Sequence, residues 1–261
     1  MSILEAIILG IIQGLTEFLP VSSSGHIELG KHILGVNLEN DNILFSVLVH
    51  FATVLSTLIV FRKDIIMLFK DLFEFKFNTG TKYILLLAIS LVPVGIVGIF
   101  FADKIEFLFE GRISLVGAML IVTAALLALT HYSKDKSKEV NYFTAFLIGI
   151  AQAIAVVPGI SRSGATISTA LLLNIKKEEA ARFSFLMVIV PICGAALLEM
   201  KDFSTAATST LSFSALIAGF IAAFASGLLA CTLMLKIVKK GKLIYFALYC
   251  LLAGITAIIF A

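Results

Sequence analysis

Two short stretches concentrate polar side chains in an otherwise apolar chain. The first reads Gln13-Gly-Leu-Thr16-Glu17-Phe-Leu-Pro20-Val-Ser22-Ser23-Ser24-Gly25-His26, and the second Pro158-Gly-Ile-Ser161-Arg162-Ser163-Gly-Ala-Thr166. Arg162, flanked by Ser161 and Ser163 on a Pro-Gly turn ahead of a helix start, suits an anion. A planar guanidinium takes phosphate oxygens two at a time, and the first amides of the following helix are free to point at the same group. Thr166 lies one turn into that helix. Glu17 can hold a divalent cation or act as general base. His26 can be base, acid or nucleophile, and Ser22, Ser23 or Ser24 nucleophile or phosphate ligand. Hydrolysis of a phosphoanhydride needs charge neutralisation, an aligned nucleophile and a proton route, and this set can supply all three.

The elements that must position these residues lie in a bilayer. Of 261 residues, 60% are apolar and only 14% charged, against about 25% charged in soluble domains. Mean hydropathy is +1.07. A soluble globular domain, a disordered tail and a nucleic-acid binder are all excluded. Apolar runs at about 43–61, 83–102, 113–132, 213–235 and 243–260 predict full spans, and 183–200, with Pro191 and Glu199, a slightly short sixth. Residues 3–19 end at Pro20 and are followed by a piece, about 27–36, too short to cross. Residues 142–157 and 166–174 repeat this arrangement. Broken polar backbone at membrane depth is tolerated only where protein buries it or where it lines a wet cavity. Both regions therefore predict re-entrant helical hairpins. The acid at Glu5 and the lack of a basic leader argue against a signal peptide. Cys193, Cys231 and Cys250 each sit in an apolar run without metal or redox spacing and are expected to pack.

A shift of 139 residues superposes the two hairpins: Gly10 falls on Gly149, Gln13 on Gln152, Ser22 on Ser161, Ser24 on Ser163 and Gly25 on Gly164. Phe45-Ser46 and Phe183-Ser184 follow at a shift of 138. The expected fold is an all-α polytopic membrane protein, a single membrane domain over 1–261. Repeat 1 covers about 1–132, a linker 133–141, and repeat 2 about 142–261. Each half holds one re-entrant hairpin plus three transmembrane helices, so the halves are inverted. Secondary transporters are commonly built this way, which makes a lipid or small-molecule transporter or flippase the alternative reading. The repeats differ where chemistry would sit. Glu17 corresponds to Val156, Ser23 to Arg162 and His26 to Ala165. If the tips meet, Glu17, His26 and Arg162 converge, and ionisable groups at such depth mark a functional site. An acid–imidazole hairpin facing an arginine hairpin favours hydrolysis over transport.

Fifteen of the twenty Lys and Arg fall in 62–82, 133–141, 174–182 and 236–242, and only Lys31, Lys104, Arg112 and Lys201 on the other side. This bias makes the first face cytoplasmic and puts both termini outside.

Together the two motifs closely resemble the undecaprenyl pyrophosphate phosphatase family, the BacA-type integral membrane enzymes linked to bacitracin resistance. The resemblance extends over nearly the whole chain and includes the region Leu48–Thr53 around His50. It implies hydrolysis of undecaprenyl pyrophosphate to undecaprenyl phosphate and inorganic phosphate, which recycles the lipid carrier of cell-wall synthesis. The pocket would open to the outer side of the plasma membrane. It also implies a divalent cation, Mg2+ or Ca2+, with Glu17 as essential acid and metal ligand. Gln13 stands where the motif takes Glu or Gln and would be the second ligand. Ser23 is implied as candidate nucleophile, His26 as candidate acid/base or nucleophile, and Arg162 as phosphate clamp. Ser22, Ser161, Ser163 and Thr166 would complete phosphate binding. The expected partners are a polyprenyl pyrophosphate lipid and the bilayer, with no nucleic acid. A homodimer is a further expectation, and His50 is expected to pack or to stand behind the site.

Overall fold

The computed structural model describes residues 1–35, 42–101, 112–133, 137–194 and 211–261. The described chain is all-helical, with several apolar helices, as a membrane-embedded chain requires: a helix satisfies its own backbone in lipid. Part of the expected 183–200 span, and Glu199, Lys104, Lys134, Lys136 and Lys201, lie outside the described residues.

Helix α1 (Ile3–Phe18) starts on a capping box, with the Glu5 amide donating to Ser2 Oγ and the Ser2 amide to the Glu5 carboxylate. Pro20 cannot continue it. Helix α2 is Ser23–Leu34, and α3 is Asn42–Val60. The chain then bends by 75° into α4 (Arg62–Phe73). The sequence suggested only a loop here. The helix forms because Arg62, Lys63, Asp64, Lys70 and Asp71 alternate at helical spacing with Ile65, Leu68 and Leu72, giving one apolar stripe. Helices α5 (Thr79–Phe100), α6 (Ile113–Leu129), α7 (Tyr142–Ile154), α8 (Arg162–Leu172), α9 (Lys177–Met187), α10 (Phe213–Lys240) and α11 (Ile244–Ile259) follow. A turn at Val188 separates α9 from helical residues 189–194. Among the described residues, α5, α6 with its extension to Tyr132, and α10 are long and apolar enough to cross a bilayer, and α3 with α4 makes a fourth if counted as one bent span. At 16 residues, α11 is shorter than the expected span over 243–260.

Packing is built on close helix approaches. Helix α1 lies along α10, and α7 along α5. A side chain at Gly10 would strike the Gly219 carbonyl of α10, and one at the equivalent Gly149 the Ser90 carbonyl of α5. Helices α6 and α11 pair reciprocally. A Cβ on Gly117 would stand 2.7 Å from the Gly254 oxygen, and one on Gly254 2.6 Å from the Gly117 oxygen. Small residues let backbones pack this closely where lipid supplies no hydrophobic drive. Leu120, Leu127, Ile167, Phe183 and Phe185 are wholly enclosed at the centre. Cys231 and Cys250 are buried and Cys193 is partly exposed, all as free thiols.

The four basic segments gather at one end. Arg182 pairs with Asp64 at 2.8 Å, Lys239 with Glu178 at 3.2 Å and Lys176 with Glu139 at 3.5 Å. These ties join 62–82, 133–141, 174–182 and 236–242. At another place Arg112, His32 and Ala261 line one small cavity, which brings the C-terminus beside the sparsely charged connections.

Candidate active site

The tips of the two broken regions meet. Ser22 and Ser161, equivalent in the repeat, are the N-caps of α2 and α8. The Ser22 hydroxyl accepts from the Gly25 amide at 3.3 Å, and that of Ser161 from the Gly164 amide at 3.0 Å. The first residue of each helix is then Ser23 in one repeat and Arg162 in the other. Both helices start earlier than the sequence suggested, because each serine cap claims the first turn. The tips are stitched by Ser163 Oγ donating to the Leu19 carbonyl at 3.2 Å. The Cys250 thiol adds a contact of 3.5 Å to the Pro20 carbonyl.

Glu17 ends α1 and is nearly enclosed, at 7% exposure. Its Oε1 receives Arg162 Nη2 in an ion pair. Its Oε2 accepts from Ser23 Oγ at 2.7 Å and from Gln13 Nε2 at 2.9 Å. Gln13, one turn earlier on the same helix, thereby orients the acid. His50, on α3, points Nε2 at the same Oε2 from 3.9 Å. Its Nδ1 lies 2.8 Å from the Ser46 carbonyl oxygen, so that nitrogen carries a hydrogen and Nε2 faces the carboxylate. A carboxylate this poor in water is tolerated because charge and donors surround it. The second terminal nitrogen of Arg162, Nη1, is buried and meets no protein acceptor among the described residues.

Glu17, Ser23, His50 and Arg162 line a cleft of about 250 Å³ together with Ser22, Ser24, Ser46 and Gln152, while Gln13 stands behind Glu17. One wall is apolar, formed by Val47, Val94, Val156, Val188 and Ile192. Such a volume suits a polar headgroup and leaves a long hydrocarbon chain outside.

The structure brings Glu17, Ser23 and Arg162 together and sets His26 elsewhere. His26 Nδ1 bonds the Ser22 carbonyl at 2.8 Å. Its Nε2 accepts from the Tyr249 hydroxyl of α11 at 2.7 Å, with the rings stacked. Both ring nitrogens are engaged, and His26 does not line the cleft. Ser22 itself holds φ +71°, a strained conformation for a residue with a Cβ, and its carbonyl accepts both the His26 ring and the His26 amide. Ser161, Ser163 and Thr166 build the second tip. Thr123 Oγ1 accepts from the Ser161 amide at 3.0 Å and donates to the Gly159 carbonyl at 3.1 Å. Thr166 Oγ1 donates to the Arg162 carbonyl at 2.9 Å. These three hold Arg162 in place and stand behind the cleft wall. Tyr249 is the residue that the sequence did not single out, and His50, expected to pack or to stand behind the site, lines the cleft itself. His50 carried a weak signal in its surroundings; Tyr249 carried none.

Residues 6–256 match the family model described as bacitracin resistance protein BacA. The undecaprenyl-diphosphatase of Christiangramia forsetii is 56% identical over 100% of this chain and 99% of its own length. That of Bacteroides fragilis is 52% identical over 98% and 97%, and that of Halothermothrix orenii 44% identical over 100% and 99%. With a family match running almost from end to end and relatives so alike over their full lengths, the chain belongs to the BacA family.

Proposed function

We propose that this protein is an undecaprenyl-diphosphatase. It hydrolyses undecaprenyl pyrophosphate to undecaprenyl phosphate and inorganic phosphate, recycling the cell-wall lipid carrier and conferring bacitracin resistance. The observation that carries the mechanism is the set converging on Glu17: Arg162, Ser23 and, across the cleft, His50. Ser23 is the nucleophile. It passes its proton to Glu17 Oε2, and Oγ forms a bond to the terminal phosphorus as the bond from that phosphorus to the bridging oxygen breaks. Protonated His50 gives its Nε2 proton to the departing lipid phosphate. Water then attacks phosphorus, giving a proton to His50 Nε2, as the bond from phosphorus to Ser23 Oγ breaks and Glu17 returns its proton to that oxygen; inorganic phosphate leaves and all three groups are reset. Arg162, through the buried and unpartnered Nη1, clamps the phosphate under attack and stabilises the charge that builds on it. His26 positions the Ser22 turn from behind rather than attacking phosphorus. Transport is the weaker reading, because one tip carries the acid and the other the cation.

A divalent cation, Mg2+ or Ca2+, fits beside Glu17. The Gln13 carbonyl oxygen is buried and meets no protein donor among the described residues, while its amide holds Glu17. Glu17 and Gln13 would hold the ion, with substrate oxygens completing its shell. When bound, it supplies charge neutralisation for the diphosphate.

An inverted repeat over about 1–132 and 142–261, with re-entrant hairpins at 3–36 and 142–174, supports this site. The pairings of α1 with α10 and α7 with α5, and the reciprocal contact of Gly117 and Gly254, are what a pseudo-twofold axis would produce. The clustering of basic segments at one end supports a cytoplasmic assignment for that end in the plasma membrane, with both termini outside. His50 lies in the half of α3 remote from Arg62, and Val94 in the half of α5 remote from Thr79. The cleft then opens toward the outer leaflet.

Phosphate release from undecaprenyl pyrophosphate by the purified protein in detergent tests the reading. Release by the wild type that a chelator stops, and that Mg2+ or Ca2+ restores, is expected. Absence of release across several metals and lipid pyrophosphates, from folded protein, would refute the phosphatase. In the same assay Ser23→Ala should lower kcat about 10²-fold, because water held by Glu17 can replace the hydroxyl. An unchanged kcat would remove Ser23 from the mechanism.

A further inference from the structure

Gln152 is a cleft residue that the mechanism leaves unused. It lies on α7, is 2% exposed, and lines the same cleft as Glu17, Ser23 and Arg162. Neither its Nε2 nor its Oε1 meets a protein partner among the described residues. A buried amide with no partner destabilises the protein that carries it. The repeat explains how it arises. Its equivalent, Gln13, spends its Nε2 on Glu17, four residues on. Four residues after Gln152 stands Val156, which has nothing to accept. The second repeat therefore keeps the amide and lacks the acid that occupies it in the first.

We infer that Gln152 is a substrate-contacting residue, its Nε2 donating to a non-bridging oxygen of the phosphate that remains attached to the lipid. The inference rests on the phosphatase reading and deepens it. The terminal phosphate is claimed by Ser23 and Arg162, which are joined through Glu17. The Gln152 amide hydrogen-bonds to none of the three and meets the other half of the diphosphate. The carboxamide is neutral, so it recognises the anion by donated hydrogen bonds without adding a second cation beside Arg162. It makes the site select a diphosphate over a single phosphate, because only a diphosphate engages Arg162 and Gln152 together.

The test is Gln152→Leu, which keeps volume and removes the donor, assayed beside the wild type on the same lipid pyrophosphate. KM should rise about tenfold, the usual scale for a lost hydrogen bond to a charged group. kcat should stay within about threefold. Competitive inhibition by inorganic phosphate, which occupies the Arg162 side alone, should match that of the wild type. An unchanged KM overturns the inference. So does a parallel loss of substrate and inorganic phosphate binding, which would mark general distortion of the cleft. If Gln152→Leu does not fold, Gln152→Glu decides by the same readings. It keeps the shape, loses the donor and repels the anion, so its KM should rise further. Wild-type protein that releases no phosphate would refute the phosphatase itself. Wild-type release with both variants indistinguishable from it would refute only the role of Gln152.

Discussion

Replacing Glu17 with glutamine should lower kcat about 10⁴-fold while leaving the protein folded. Glu17 accepts from Arg162, Ser23 and Gln13 at once and faces His50, so on the proposed mechanism one substitution removes the proton acceptor for Ser23 and a ligand for the cation. General-base loss alone is worth about 10² to 10⁴, and effects within one working unit do not add. The amide keeps the shape, and its one carbonyl oxygen can still accept from Arg162 while its NH2 turns to the Ser23 oxygen as donor. Glu17→Ala should lose as much activity and also unfold more easily. It strands the Arg162 guanidinium without its counter-charge, which costs about 3–5 kcal/mol in buried pairs. Phosphate release together with thermal unfolding in detergent separates the two effects. A Glu17→Gln enzyme within tenfold of wild type would end the assignment of Glu17 as base.

Arg162→Ala should lower kcat/KM by about 10³ or more, the range seen when a preorganised cationic or hydrogen-bonding group is taken from a developing phosphate charge. Arg162→Lys should recover little, because a single ammonium cannot hold Glu17 and still present a second donor to the phosphate as the guanidinium fork does. The pair predicts an unusual double variant. Glu17→Ala with Arg162→Ala should be no less active than either single variant, since each alone already disables the unit. It should be more stable than both, because no charge is left unpaired. A double variant less stable than each single one would show that the ion pair does not carry the tips' cohesion.

The part of this site legible in sequence was the part encoded by repetition. The offset of 139 residues located both tips, and the substitution of Arg162 for Ser23 at equivalent positions pointed to a contact between opposite charges. The serine caps were legible for the same reason, since Ser22 with Gly25 and Ser161 with Gly164 are local patterns. What was not legible depends on distant packing. His26 follows Ser23 by three residues on α2, yet its ring is taken by Tyr249, 223 positions away, and nothing near His26 encodes that partner. His50 enters because α3 packs beside α1; the resemblance flagged its surroundings, but the long-range contact that turns it toward Glu17 is not encoded near it. Thr166 is implied as a phosphate ligand by the resemblance alone. With the helix beginning at Arg162, its hydroxyl is consumed by the preceding turn. The bend before α4 was hidden for another reason: its charges read as a loop when counted for orientation, and as an amphipathic helix only when their spacing is weighed.

The two halves of the ion pair are 145 residues apart in the chain. Ribosomes add roughly 5–20 residues each second, so about 7 to 30 s separate the synthesis of Glu17 from that of its counter-charge. During that interval the first broken region carries an acid with no guanidinium to meet it, and an unpaired carboxylate is costly at membrane depth. The contact between the two tips cannot form until the second half has been made. The joining of the two tips is thus timed by translation.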